Sequence, residues 1–149
     1  MATTIFVLII ASVILANQAF AIDDAFERLM STKSLKCTFE KGTSANWKGE
    51  TVKVEEDDGP GTLHFDSIDL QAKTARLIAN AGAGDVTILW GASGLTFIER
   101  TGFGNLAFTT IFPIYKQDTI EFIAVTSRHM NLIKHPVPSQ YHGTCKVWE

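Results

Sequence analysis

The sequence predicts an all-β domain, an antiparallel meander of about eight or nine short strands that follows one short helix. Three observations lead to this fold class. About nine stretches alternate apolar and polar residues with a period of two. Turn residues separate almost every neighbouring pair, and the connections are too short for crossover helices, so neighbouring strands should pair antiparallel. Two cysteines lie in the first and the last of these stretches.

The cysteines, Cys37 and Cys145, favour a closed barrel over the alternative of a two-sheet sandwich. Two cysteines in an oxidising compartment allow one intramolecular connectivity, which ties the first strand to the last. In the chain-entropy model a loop of this size stabilises the fold by about 4–5 kcal/mol. Residues 106–112 carry apolar groups on both faces, and such a strand needs cover on both sides. Two buried free thiols are the alternative to the bridge.

The N-terminal residues 1–21 carry no charged side chain and read as a secretory signal peptide. Residues 5–15 are apolar, and Ala19-Phe20-Ala21 is a small-x-small cleavage signal. We therefore expect cleavage after Ala21, a single mature domain over residues 22–149, and a secreted or periplasmic protein without a membrane span. Because the segment lacks Lys and Arg before its apolar run, an uncleaved anchor is the alternative.

The elements of the mature chain follow from local patterns. Residues 22–30 place Phe26, Leu29 and Met30 at helical spacing, and this helix could cover one side of the barrel or plug an open end. Residues 41–45 and the acidic segment 55–61 read as turns. Residues 135–140 read as an extended lead-in, because their prolines cannot donate to a sheet. The predicted strands are 35–40, 47–55, 62–68, 75–79, 85–90, 95–100, 106–112, 119–129 and 141–148.

Charge and spacing exclude several function classes. The net charge of -3 and the lack of a basic stripe argue against nucleic acid as a partner. The four histidines form no His-x-His or His-x3-His pair, so no metal site and no cofactor are predicted. Ser127 and His129 share a strand face, but residues two apart are not placed for a nucleophile and its base, and no acid is assigned to orient the histidine. We predict a protein that is not an enzyme.

Aromatic residues in the strands suggest a lining for an apolar ligand. Glu99 continues the face of Leu95 and Phe97, so either Glu99 or Arg100 could serve as a polar anchor. A buried Glu99 would need a partner, and Arg76, Arg100 and Arg128 are the candidates. The alternative is that the aromatics pack a dry core. The candidate ligand-binding residues are Trp47, Phe65, Trp90, Phe97, Glu99, Arg100, Phe108 and Phe122.

Four segments carry a resemblance: 94–99 (GLTFIE), 109–112 (TTIF), 127–129 (SRH) and 138–145 (PSQYHGTC). Together they look like a group of small exported bacterial proteins of unassigned function. The resemblance covers most of the mature chain and implies bacterial export and a common fold, with no activity. In architecture, a secreted β-meander of this size closed by a disulfide is similar to lipocalin-like barrels. The lipocalin Gly-x-Trp signature near the first strand is not present, since Trp47 follows that strand.

Two function classes follow from these patterns. The first is an exported, non-enzymatic binding protein that holds a small apolar ligand inside the barrel. The second is a protein-interaction module, such as an inhibitor or an envelope-associated factor, whose core is filled. An eight-stranded barrel can be filled by side chains or hollow enough for one small ligand. A filled interior with an exposed apolar patch would favour the second class.

Overall fold

The computed structural model describes residues 24–101, 104–132 and 135–148 of the chain. Eight antiparallel strands follow one another as a meander and close into a barrel, which confirms the predicted fold class. The predicted signal peptide, with Ile22 and Asp23, lies outside the described residues. The strands are β1 (Leu35–Lys48), β2 (Thr51–Asp69), β3 (Thr74–Ala79), β4 (Gly82–Gly91), β5 (Gly94–Arg100), β6 (Leu106–Tyr115), β7 (Phe122–Leu132) and β8 (His135–Val147).

The barrel closes between β1 and β8, and the predicted disulfide lies across this seam. Cys37 pairs directly with Cys145 in the β1–β8 register, and the two sulfur atoms are bonded. Their Cα atoms are 4.0 Å apart, which is slightly closer than the usual range of about 4.4–6.8 Å. Directly opposed residues in a non-hydrogen-bonded antiparallel pair approach to about 4.5 Å, which accounts for the short separation.

Side chains fill the barrel interior. Inward positions alternate along the strands, and Phe65 on β2 stacks on Phe97 of β5 across the interior with ring centroids 4.0 Å apart. Burial of large aromatic and branched side chains supplies most of the free energy that favours folding. The largest side chains with less than 2% exposure include Phe39, Phe65, Phe97, Phe122, Leu29, Leu35, Ile68, Ile88, Leu95 and Ile111.

A short helix, α1 (residues 24–31), closes the end of the barrel where β1 begins. Ala25 and Leu29, four residues apart on one helix face, are buried in the barrel core. The Tyr115 hydroxyl at the end of β6 donates a hydrogen bond of 3.0 Å to the Asp24 carboxylate. Of the two placements expected for the helix, the structure therefore has the one that plugs an end.

At the opposite end, four strands continue past the barrel as a sheet extension. The register between β1 and β2 shifts between Phe39 and Lys41, and pairing then runs on to Lys48 and Thr51. The predicted turns at 41–45 and 55–61 are wrong, because both segments lie inside these long strands. Their polar residues indicated turns, but beyond the barrel neither face of a strand has a core to cover. The chain reverses at Gly49, whose φ of 65° suits the first central position of a two-residue hairpin turn.

The last strand begins earlier than predicted. Residues 135–140, predicted as an extended lead-in, are extended and already belong to β8, which pairs with β7 from Leu132 onward. Pairing of β8 with β1 begins only at Ser44 and Ser139, so Pro136 and Pro138 lie where β8 has a single neighbour. A proline is tolerated at such an edge because its missing N–H faces no strand.

Candidate functional site

Three of the eight candidate ligand-binding residues lie inside the barrel. Phe65, Phe97 and Phe122 are at most 1% exposed, and all three belong to the core. Phe65 and Phe97 stack on each other, and Phe122 packs against Tyr115 with ring centroids 5.2 Å apart. Their faces are occupied by other core side chains, so they act as packing residues.

Three other candidates lie on the outer side or at the rim. Trp47 is 44% exposed on the sheet extension, and Trp90 is 53% exposed, with its indole N–H donating to the Leu70 carbonyl at 3.3 Å. Phe108 lies between the inward residues Ala107 and Thr109, on the outer face of β6. The structure therefore separates the predicted aromatic lining into a core set and an outer set.

The last two candidates, Glu99 and Arg100, lie at the barrel end opposite α1. Both line an open cavity of about 350 Å3 beside the β3–β4 turn, together with Asp85. Glu99 is partly buried and continues the inward face of β5, as the alternation predicted. In the described part of the chain it forms no ion pair with Arg76, Arg100 or Arg128.

A polar cluster lies where the barrel interior meets the sheet extension. The Tyr141 hydroxyl donates a hydrogen bond of 2.7 Å to the Asp57 carboxylate. Burial raises the pKa of Tyr141, and the bond to Asp57 raises it further. The Arg128 guanidinium lies 5.9 Å from the centre of the Tyr141 ring, within the range of a cation–π contact. These polar contacts connect the sheet extension to the barrel. No sequence motif predicted them.

A cleft opens between the two hairpins of the extension, and we call it the hairpin cleft. The β1–β2 and β7–β8 hairpins are paired up to Ser44 and Ser139, and beyond that pair their described residues form no strand pairing with each other. The cleft has a volume of about 310 Å3. It is lined by Ala45 and Val54 from one hairpin and by His129, Pro138, Ser127 and Gln140 from the other.

Unpaired backbone groups of β1 face the hairpin cleft. In a two-residue hairpin turn the amide of Thr51 bonds the carbonyl of Lys48, so both residues direct their backbone groups between β1 and β2. Successive residues of a strand alternate in this direction. The N–H and C=O groups of Ala45 and Trp47 therefore point away from β2, into the cleft. The opposite wall has prolines at 136 and 138, which offer no N–H.

An exposed apolar patch adjoins the cleft on the outer face of the β1–β2 hairpin. Trp47 pairs directly with Val52, and Ala45 with Val54, so these four side chains share one face. Val52 is 51% exposed and Val54 is 63% exposed. The sequence showed the alternation of Val52 and Val54, but not that this stretch lies beyond the barrel.

Ser127 and His129 both line the cleft, and each contacts a different neighbour. The Gln140 side-chain amide donates a hydrogen bond of 3.2 Å to the Ser127 hydroxyl. The His129 ring packs edge-on against Phe108 with centroids 5.7 Å apart. Within the described ranges, no three residues among His, Cys, Asp and Glu come together as a group that could hold a metal ion.

In residues 24–101, 104–132 and 135–148, no helix is both long and apolar enough to cross a membrane. Comparison with protein-family models, with curated proteins and with solved structures gave no match. The support for a function therefore comes from the side chains and backbone groups described above.

Proposed function

We propose that this chain is a non-enzymatic protein-interaction module that works outside the cytoplasm and binds an extended segment of a partner protein in the hairpin cleft. The observation that carries the proposal is the divergence of the two hairpins after Ser44 and Ser139. It leaves unpaired backbone groups and an apolar wall facing one cleft. Addition of an extended segment to a free strand is a common mode of peptide recognition.

The filled core favours this function over the storage of a small apolar ligand inside the barrel. Phe39, Phe65, Phe97 and Phe122 occupy the interior and are nearly or completely buried. A ligand in that space would have to displace side chains that are packed at the density of a protein interior. The apolar surface available to a partner is on the outside, at Trp47, Val52 and Val54.

The chemistry of the cleft defines the partner segment. Its backbone would pair with Ala45 and Trp47, and alternate side chains would lie over Val54 and against Pro138. We therefore propose an extended segment with apolar side chains at alternate positions.

Two features support a site of action outside the cytoplasm. The Cys37–Cys145 bridge is of a kind that persists in oxidising compartments. The apolar N-terminus with Ala19-Phe20-Ala21 has the anatomy of a signal peptide. Mass spectrometry of the exported protein should find Ile22 as the first residue. A retained N-terminal segment would contradict the export proposal and would leave the binding proposal intact.

A displayed library of random peptides tests the binding proposal. We expect enriched sequences in which apolar residues occur at alternate positions. Ala45→Arg, which places a long cation in the cleft, should abolish their binding. Thr87→Arg is the matched control, because Thr87 is exposed on β4, away from both hairpins. Enriched peptides that bind the Ala45→Arg variant as tightly as the wild type would overturn the proposal, as would a library that yields no binder.

A further inference from the structure

Among the residues that the structure describes, no strand pairs with the outer edge of β2 over residues 51–63. Along this stretch β2 pairs with β1 on one side, and its pairing with β3 begins only at His64. Strands inside a closed barrel have neighbours on both sides, but beyond the barrel the β2 strand of the sheet extension has a neighbour on one side. Thr51 directs its backbone N–H and C=O groups towards β1, and these directions alternate along a strand. The backbone groups of Val52, Val54 and Glu56 therefore point to the free side of β2.

The side chains along this edge alternate in a self-complementary way. Val52, Val54 and Glu56 lie on the face of the apolar patch. Lys53 and Glu55 lie on the other face, in contact with each other, and both are exposed. Residues 51–54 of this edge are exposed, and Lys53 and Glu55 carry opposite charges two positions apart, which is the arrangement that lets a strand pair with itself when inverted.

We propose that two copies of this chain associate through their β2 edges, antiparallel, with the two-fold axis at Val54. In this register Lys53 of each copy faces Glu55 of the other, so two opposite-charge pairs form. Thr51 faces Asp57, and Val54 faces its own counterpart. Opposite charges directly across an antiparallel pair stabilise it, and like charges destabilise it. The pairing produces a continuous sheet through both extensions, with both hairpin clefts on the same side.

Each neighbouring register either brings like charges together or forms no opposite-charge pair. An axis at Lys53 sets that lysine against its own copy, and an axis at Glu55 does the same for the glutamate. An axis at Glu56 sets Glu55 against Asp57, and an axis at Val52 forms no opposite-charge pair within residues 51–57. In the Val54 register the two like charges that meet, Glu50 and Asp58, lie at the outer ends of the pairing. There Lys41 forms an ion pair with Asp58 at 2.5 Å.

Association also covers apolar surface that is exposed in one copy. Val54 is 63% exposed and Val52 is 51% exposed, and both lie at the proposed interface. The Gly59-Pro60-Gly61 segment limits the pairing at its far end, because Pro60 has no N–H to offer an added strand. Val54 also lines the hairpin cleft, but Lys53 and Glu55, which set the register, lie on the opposite face. Reversal of their charges therefore tests this inference apart from the proposed partner binding.

Sedimentation equilibrium of charge-reversal variants tests the register. The wild-type protein should show a concentration-dependent monomer–dimer equilibrium. Lys53→Glu and Glu55→Lys should each weaken dimerisation about tenfold or more, because each replaces two attractive pairs by two repulsive ones. An equimolar mixture of the two variants should regain association, since Lys and Glu then face each other again. The double variant K53E/E55K should also regain it.

Thermal unfolding serves as the control for folding, because an exposed ion pair contributes little to stability and each variant should melt close to the wild type. A wild-type protein that remains monomeric at all concentrations would overturn the inference. Dimers unaffected by either reversal would do the same, and so would a mixture of the two variants that associates no better than each variant alone. Peptide binding to the hairpin cleft is measured separately, because the reversals at Lys53 and Glu55 leave the residues that line the cleft unchanged.

Discussion

Cys37 and Cys145 lie directly opposite each other in the β1–β8 register, with Cα atoms 4.0 Å apart and a sequence separation of 108. Both are at most 1% exposed. Every other pair of neighbouring strands in the barrel is joined by a short connection, but β1 and β8 are joined only by hydrogen bonds and this bridge. The disulfide therefore links the pair of neighbouring barrel strands, β1 and β8, that no short connection joins.

Removal of the bridge should destabilise the barrel without changing its fold. The double variant C37S/C145S should lose up to about 4–5 kcal/mol of unfolding free energy, the chain-entropy value for a loop of this length. Denaturant unfolding measures the loss, and far-ultraviolet circular dichroism checks the fold. Reduction of the wild-type protein is the matched control and should give a similar loss. Equal stability of the oxidised wild type and the variant would show that the seam holds without its bridge.

Two glycines in strands should respond in opposite ways to an added methyl group. At Gly42 on β1 a Cβ would lie 2.0 Å from the Gln140 carbonyl oxygen and 2.6 Å from the Tyr141 ring. At Gly84 on β4 no atom lies within 4 Å of the added Cβ. Gly42→Ala should therefore cost on the order of 2 kcal/mol or more through overpacking, whereas Gly84→Ala should be neutral or slightly stabilising. Thermal melting of the two variants checks the contrast, and equal effects would contradict the close approach of β1 and β8.

Truncation of core and outer aromatics should separate packing residues from surface residues. Phe97 is 1% exposed and stacks on Phe65, so Phe97→Ala should cost about 3–5 kcal/mol. Phe108 is only partly buried, on the outer face of β6, so Phe108→Ala should cost less than about 1.5 kcal/mol. Urea unfolding of both variants gives the comparison. A hollow interior would instead make Phe97→Ala nearly as mild as Phe108→Ala.

The sequence predicted the strands of the barrel better than those of the sheet extension, for a physical reason. Within the barrel each strand has one face on the core, so Leu35, Cys37 and Phe39 alternate with polar residues and are buried as expected. Beyond the barrel both faces are exposed, and segments 41–45 and 55–61 carry polar residues and glycines that are also typical of turns. Composition cannot separate a solvated strand from a turn when the only partner is another solvated strand.

The candidate site could likewise be predicted only in part from the sequence. Alternation placed Phe97 and Glu99 on the inward face correctly. It could not show that the interior is filled, because the number of side chains that point into a barrel depends on its diameter and on the tilt of its strands. The hairpin cleft depends on where the β1–β8 pairing ends, at Ser44 and Ser139. Such a long-range register has no local signal in either strand.

The two tyrosines of the chain should make the fold sensitive to alkaline pH. Burial raises the pKa of both Tyr115 and Tyr141, and a hydrogen bond to Asp24 or Asp57 adds to each shift. The folded protein therefore holds both hydroxyl protons more tightly than the unfolded chain. The stability that this contributes is complete below the unfolded pKa of about 10 and is lost as pH rises through the higher folded pKa. The melting temperature should fall above pH of about 10, and phenolate absorbance should show both tyrosines titrating above their ordinary range.

The double variant Y115F/Y141F provides the control for this pH dependence. Lys41 and Lys53 also have a raised pKa, because each donates a hydrogen bond to a carboxylate, and they remain in the variant. The difference in the alkaline loss of stability between the wild type and the variant therefore reports the tyrosines alone. At neutral pH the variant should be about 1–3 kcal/mol less stable, since two hydrogen bonds are removed. Phenolate absorbance that rises with the ordinary tyrosine pKa in the folded wild type would contradict the partial desolvation and the carboxylate hydrogen bonds of the two hydroxyl groups.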